Sequence, residues 1–339
     1  MMRDRYSRQQ LFSAIGNEGQ DLLSRKHVLI VGAGALGCAN AEMLARAGVG
    51  KLTLIDRDYI EWSNLGRQQL YTEEDATHTR PKAKAAEERL KAINSEIVIE
   101  GIAEDFHAEN AERLIQNVDM VLDGTDNFDT RFIINDVTAK HKVPWVYGGC
   151  LQSHGVSLGI MPGETPCLQC LIEHVPQNGG TCDTVGIIGP AVQMTASYQT
   201  TECLKYLTGS PFSSRFIYFD VWEGEHSSIN VTNLLDPQCH SCSEKAAYPY
   251  LQKEKGMQTA VLCGRDTIQV RPEKSGTRSL QELNNHLAAV TAKRKENGEL
   301  LIFEVEGVRF VVFKGGRTLI HGVHDVTKAK KLYHRYVGV

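Results

Sequence analysis

The segment His27-Val28-Leu29-Ile30-Val31-Gly32-Ala33-Gly34-Ala35-Leu36-Gly37 constrains this chain more than any other stretch. An apolar, β-branched run that ends directly in glycine describes a buried parallel strand feeding a loop. Residues 35–47 then carry Ala, Leu, Met and Glu, which favour helix, and Gly48 supplies a stop. Between strand and helix, Gly32, Gly34 and Gly37 let backbone approach a phosphate closely and point helix N–H groups at the anion. Without that context the same glycines are compatible with a close-packed turn.

The alternation continues. A strand at residues 51–55 delivers Asp56 at its carboxyl end, and helices are expected at 82–93, 108–116 and 130–140. Strands at 96–101, 119–122 and 145–147 separate them. This is a doubly wound, mostly parallel, Rossmann-like sheet, whose ligands lie beyond the carboxyl ends of its strands. After Gly148 the pattern turns Gly-rich and antiparallel, followed by a strong helix over 190–207. From about residue 257 a strand, a helix over 279–295, two or three strands between 300 and 320 and a closing helix at 325–336 read as a small α+β module. The expected domains are 1–250 and 257–339, and the 339 residues suffice for both.

A net charge of −4 with 23% charged residues gives no sign of a nucleic-acid partner. The N-terminus lacks an apolar core, and no stretch reaches ~18 consecutive apolar residues, so a soluble cytoplasmic protein without membrane contact is expected. Nine cysteines, an odd number, favour thiols that serve metal or chemistry in a reducing compartment over disulfides.

Asp56 lies 22 residues beyond Gly34, where a carboxylate accepts hydrogen bonds from ribose hydroxyls. That fits NAD and ATP equally, and capping of the next turn is the alternative, with Asp58 a competitor for the ribose. Arg67, within Asn64-Leu65-Gly66-Arg67-Gln68, and Lys82, at a helix start, are cations that hydride transfer does not need. Displacement of pyrophosphate from ATP does need them, because charge builds on the phosphates. Asp126, in Asp123-Gly124-Thr125-Asp126-Asn127, follows an apolar strand and suits Mg²⁺, or else caps the next helix.

Two CxxC pairs, Cys167/Cys170 and Cys239/Cys242, supply four thiolates for a closed tetrahedral zinc shell that ties the end of the larger domain back to the segment at Cys170. A redox dithiol would not need the second copy. Cys182 precedes a Gly-rich turn, where a loop thiol is exposed to chemistry. Cys38 and Cys203 fall within expected helices and read as core residues, while Cys150 and Cys263 lack partners by spacing.

Taken in order, Arg5-Tyr6-Ser7-Arg8-Gln9, the glycine loop, Asn64-Leu65-Gly66-Arg67-Gln68, Pro81-Lys82-Ala83, Thr125-Asp126-Asn127-Phe128, Pro166-Cys167-Leu168-Gln169-Cys170 and the Cys239/Cys242 pair resemble the ThiF/MoeB/HesA family, bacterial relatives of ubiquitin-activating enzymes. The likeness runs from about Tyr6 to the second CxxC. It implies ATP-dependent adenylation of the C-terminal glycine of a ubiquitin-like sulfur carrier, ThiS in thiamine or MoaD in molybdopterin synthesis. It further implies ATP and Mg²⁺ contacts from Gly34, Asp56, Asn64, Arg67, Gln68, Lys82 and Asp126. Arg8, otherwise an ordinary solvated charge, resembles the arginine that reaches the neighbouring subunit's nucleotide in a homodimer. Cys182 takes the place of a cysteine associated with a thioester or acyl-persulfide link to the carrier, which brings in a sulfur donor such as a cysteine desulfurase. Thr79 departs from the pattern, since relatives often carry glycine there. The residues past about 257 also depart, with no rhodanese-type cysteine loop. Two other readings use the same fold: an NAD(P)-dependent oxidoreductase, which leaves Arg67, Lys82 and Asp126 idle, and a non-catalytic scaffold for a ubiquitin-like protein.

Overall fold

The computed structural model describes residues 5–171, 185–252, 258–262, 267–272, 279–314 and 316–338. The chain forms two compact units, 1–252 and 253–339.

The first unit opens with two helices, α1 (Ser7–Gln10) and α2 (Gly16–Leu23), which carry no periodic signal long enough to read in advance. Then come β1 (His27–Val31), α3 (Ala35–Ala47), β2 (Lys51–Ile55), α4 (Glu73–Thr77), α5 (Lys82–Ile93), β3 (Val98–Ile102), α6 (Ala108–Leu114), β4 (Met120–Asp123) and α7 (Phe128–His141). β5 (Trp145–Leu151), β6 (His154–Ile160), α8 (Leu168–Leu171), α9 (Gly189–Leu207), β7 (Arg215–Asp220) and β8 (Glu225–Asn230) complete it. The sheet order is β3-β2-β1-β4-β5-β6-β7-β8, parallel through β5 and antiparallel beyond. The connectivity reverses direction between β1 and β4, so a crevice for a ligand opens there.

Alternate residues of β1 serve two layers. Val28 and Ile30 enter a core with Leu44, Leu52 and Leu90 under α3 and α5, while Leu29 and Val31 join Val121, Ile134 and Trp145 under α6 and α7. A buried parallel strand has no polar face, which is why it reads as a continuous apolar run. Cys38 and Cys203 lie in the first of these cores, and burial pushes the Cys38 thiol up to about 12, so both are inert packing residues. Gly48 ends α3 in the left-handed region at φ 81°, as the stop signal requires.

Among the described residues the second unit comprises β9 (Gln258–Leu262), β10 (Thr267–Arg271), α10 (Leu280–Leu287), β11 (Arg294–Glu296), β12 (Leu300–Val305), β13 (Val308–Phe313), β14 (Thr318–His321) and α11 (Val326–Tyr336). The strands form one antiparallel sheet of order β11-β12-β13-β14-β10-β9. The helix expected over 279–295 stops at Leu287, and Arg294–Glu296 is a strand. The apolar spacing Leu280, Leu283, Leu287 ends there, and the Arg294 guanidinium folds back onto the Asn284 side chain at 3.0 Å and the Leu287 carbonyl at 3.4 Å, closing the helix end.

Candidate active site

The three glycines of the first loop are required for different reasons. Gly32 sits at φ 93°, and a Cβ there would fall 2.5 Å from the Gly124 carbonyl oxygen. At Gly37 a Cβ would come within 1.9 Å of the Gly32 oxygen. At Gly34 the nearest protein atom would be 3.8 Å away, an ordinary contact. Internal packing therefore demands glycine at 32 and 37 and leaves space over 34, where α3 begins and helix geometry gives its first N–H groups no partner within the helix.

Asp56 straps this loop. One carboxylate oxygen accepts the Ala33 N–H at 2.6 Å and the other accepts the Asp58 N–H at 2.6 Å. The Tyr71 hydroxyl donates to the Ala33 carbonyl at 2.6 Å from the other side. Burial raises the Asp56 carboxyl above the usual carboxylate range, with Lys82 opposing that rise and Asp58 adding to it. The turn role and the ribose role are compatible, because each oxygen keeps a second lone pair.

Lys82 opens α5 and is only 4% exposed. Its ammonium lies 3.7 Å from Asp58, and its backbone N–H donates to the Asp58 carbonyl at 2.9 Å. Asp58, the competitor for the ribose, is thus the counter-ion of the lysine, a pairing the sequence reading missed. Thr79 holds φ 53°, so a left-handed backbone that favours glycine is kept here by a threonine at a cost.

Asn64 and Gln68 are buried beside this pair's loop, on either side of Arg67. The Asn64 amide oxygen accepts the Glu61 N–H at 3.0 Å, and the Gln68 N–H donates to the Asn64 carbonyl at 3.0 Å. Among the described residues, Asn64 Nδ2 and Gln68 Oε1 have no hydrogen-bond partner. A buried unpaired polar atom costs roughly 1–3 kcal/mol, so two of them in adjacent turns mark a place built for a polar ligand. Arg67 is half-buried and its guanidinium donates to the Ser63 carbonyl at 2.8 Å.

The loop after β4 rests on a buried ion pair that the sequence reading also missed. Asp123 accepts from Arg131 Nε at 2.9 Å and from the Thr125 N–H and hydroxyl at 2.9 and 2.7 Å. Arg131 also donates to the carbonyls of Thr125 and Gly148 at 2.8 and 3.0 Å, and lies over the rings of Phe128 and Tyr147. Burial works most strongly against its charge, but Asp123, Tyr147 and Asp126 together outweigh burial and keep the guanidinium ionised. The only signals for it were an aspartate ending an apolar strand and an arginine one turn into the next helix. Asn127, whose side chain accepts the Thr130 N–H at 2.9 Å, caps α7. Asp126 is left exposed at the loop tip, where its carboxylate meets the Asn127 amide at 3.4 Å and feels the charge of Arg131. An exposed carboxylate beside a phosphate loop fits an oxygen-coordinated, partly hydrated Mg²⁺.

Arg8 is not gathered into this group. It sits exposed on α1, which is anchored at the far end of α3: Gln9 donates to the Ala47 carbonyl at 2.9 Å and the Tyr6 ring covers Gly48. The length of α3 puts that anchor about 20 Å from the glycine loop. Cys182, with His174 and Cys263, lies outside the described residues.

The four thiols of the two CxxC pairs converge. Cys167 lies 3.8 Å from Cys170 and 3.6 Å from Cys239, Cys170 lies 3.6 Å from Cys242, and all four sulfurs fall within 4.8 Å of one another. Sulfurs at ~2.3 Å around a tetrahedral ion are separated by about 3.8 Å, so the group fits a metal such as zinc. Among the described residues no helix is long and apolar enough to cross a membrane.

Comparison with known proteins places the chain in context. The model of the ThiF family matches residues 6–241. The sulfur carrier protein ThiS adenylyltransferase of Bacillus subtilis is 44% identical over 337 residues, covering 99% of this chain and 100% of that protein. The molybdopterin-synthase adenylyltransferase of Escherichia coli is 34% identical over 243 residues, 71% of this chain and 96% of that one. A solved structure of E. coli MccB with ATP matches with a TM-score of 0.61 at 26% identity, over 71% of this chain and 75% of that chain.

Proposed function

This chain belongs to the ThiF family, and from that premise we propose that its substrate is a ThiS-type carrier, whose C-terminal glycine it joins to AMP for thiamine synthesis. The chain is an ATP-dependent adenylyltransferase of ubiquitin-like sulfur carriers. The choice of ThiS over MoaD rests on one observation: the alignment to the ThiS enzyme spans 337 residues and so includes the second unit, while the molybdopterin relative aligns with 71% of the chain.

In the reaction a carrier carboxylate oxygen bonds to the α-phosphorus of ATP, the bond from that phosphorus to the bridging oxygen breaks, and pyrophosphate leaves with the electron pair. The attacking group is already an anion, so no proton need move, and positioning and electrostatics carry the catalysis. Gly34 and the start of α3 receive the phosphates, with Gly32 and Gly37 shaping the loop. Asp56 takes the ribose, and Asn64 and Gln68 spend their unpaired amide atoms on the nucleotide. Arg67 and Lys82 meet the charge developing on the leaving phosphates. Asp126 would hold Mg²⁺, which when bound would offset the negative charge of the phosphates.

Arg8 acts on the nucleotide of a second copy in a homodimer, a reading supported by its anchor at the opposite end of α3. The four thiols hold structural Zn²⁺. Cys182 then attacks the acyl-adenylate as a thiolate and AMP departs, or it first attacks the outer sulfur of a persulfide on a donor such as a cysteine desulfurase, whose own thiolate leaves. The enzyme works in the cytoplasm and needs no nucleic-acid or membrane partner. ATP–pyrophosphate exchange with each purified carrier tests this. ThiS should support exchange, and Asp126→Ala should lower it by roughly 10²–10³-fold. Near-normal exchange in that variant refutes the role of Asp126, and exchange with MoaD but not ThiS overturns the choice of carrier.

A further inference from the structure

Helix α7 serves two sites at once. Its first turn holds the loop that carries Asp126: Asn127 caps the helix and Arg131 clamps the Thr125 carbonyl at 2.8 Å and Asp123 at 2.9 Å. One turn further on, Asn135, 1% exposed, faces the thiol group. Its amide oxygen accepts the Leu168 N–H at 2.8 Å, at the first residue of α8, and its Nδ2 donates to Cys167 Sγ at 3.6 Å. The next residue, Asp136, is fully buried and accepts the Tyr250 N–H at 2.8 Å, fastening the segment that follows Cys242 to the same helix. The second thiol pair has its own backbone donor, Ser241 N–H to Cys239 Sγ at 3.4 Å.

Asparagine is a poor residue for a buried helix interior unless its amide is used. Here both ends of the amide are spent on the knuckle that presents Cys167. A fixed N–H on a metal-bound thiolate spreads its charge and sets the direction of its lone pairs. We propose that Asn135 is a positioning residue for the metal centre and that, through α7, it couples metal occupancy to the loop bearing Asp126. Removal of the metal frees Cys167 and α8 from the amide, leaves a buried polar group without a rigid partner, and loosens the helix whose first turn clamps Thr125. The inference rests on the reading of the four thiols as a metal site.

The experiment uses the full chain loaded with zinc or cobalt(II), and the variants Asn135→Ala and Asn135→Asp. Asn135→Ala should lower metal affinity by about 10–100-fold in competition with a chromogenic chelator and shift the thiolate-to-cobalt absorption band. Asn135→Asp keeps the acceptor for Leu168 but loses the donor to sulfur, so it should retain the fold and still shift the band. MgATP affinity should fall several-fold in Asn135→Ala and in metal-stripped native protein alike. Hydrogen exchange at residues 123–131 should rise in both. Native metal affinity with an unshifted band in both variants overturns the positioning role, and unchanged MgATP affinity in stripped native protein overturns the coupling. A native chain that takes up no metal removes the metal reading itself. Normal metal uptake and pyrophosphate exchange beside unaltered variants removes only the role of Asn135.

Discussion

β1 is five residues long, and its two ends follow opposite rules. At the amino end every polar group is satisfied. The His27 N–H donates to Asp119 at 2.8 Å, its ring nitrogens face the Asn117 carbonyl and the Thr53 hydroxyl, each at 2.9 Å, and Lys26 pairs with Asp119 at 2.9 Å. At the carboxyl end there is space over Gly34, an exposed Asp126 and, among the described residues, no partner for one amide atom each of Asn64 and Gln68. The closed end contributes stability. The open end withholds it, because a site that satisfies itself has nothing left with which to bind.

Substitutions in the glycine loop break this contrast most directly. Gly37→Ala puts a methyl 1.9 Å from the Gly32 oxygen, backbone against backbone, and neither can yield without moving α3 off β1. A loss of roughly 3 kcal/mol in urea unfolding is expected, larger than the ~1 kcal/mol that alanine gains in helix propensity. A variant as stable as the native chain would show that the loop is looser than its contacts indicate.

Gly34→Ala sharpens the comparison. Its methyl meets only the Gly124 oxygen, at 3.8 Å, and the φ of −76° keeps the residue out of the left-handed region. Stability should stay within about 0.5 kcal/mol. MgATP affinity should fall about tenfold, some 1.4 kcal/mol, because the methyl occupies the phosphate's approach. Equilibrium dialysis against labelled ATP measures it, and native affinity would mean that the phosphates lie elsewhere.

These two glycines mark the boundary of what the sequence could tell. Their spacing declared a phosphate loop, and local signals carried β1, α3 with its Gly48 stop, and α5 to both ends, because each of these elements is specified by its own residues. The four cysteines were equally plain, since two short spacings suffice to aim four sulfurs. Spacing could not say that Gly37 answers to packing and Gly34 to a ligand, for the letter is the same and only the neighbours differ. Nor could it find Asp58 beside Lys82, Arg131 on Asp123 or Asn135 on Cys167, since the Asn135–Cys167 pair joins residues 32 positions apart and owes its geometry to the sheet order. The overlong helix at 279–295 failed for the same reason: Arg294 ends it from outside.

The smallest effect lies at the closed end. Burial lowers the His27 imidazole below its ordinary value, with the Asn117 carbonyl opposing and Lys51 assisting. Below about pH 6.5 the unfolded chain binds a proton there that the folded chain refuses, so stability falls as pH drops through 6.5 toward the folded value, and is untouched above it. His107 is lowered by burial too and adds to the same window. His27→Gln removes one of the two titrations while keeping a donor and an acceptor for Asn117 and Thr53. At pH 7.5 it should cost about 1 kcal/mol or less, and between pH 7 and 5 its melting temperature should decline less steeply than that of the native protein. MgATP affinity should not change, since His27 lies at the opposite end of β1 from Gly32. An equal slope in both proteins would assign the acid sensitivity to other groups, and a loss of nucleotide affinity would mean that the two ends of this strand are not independent after all.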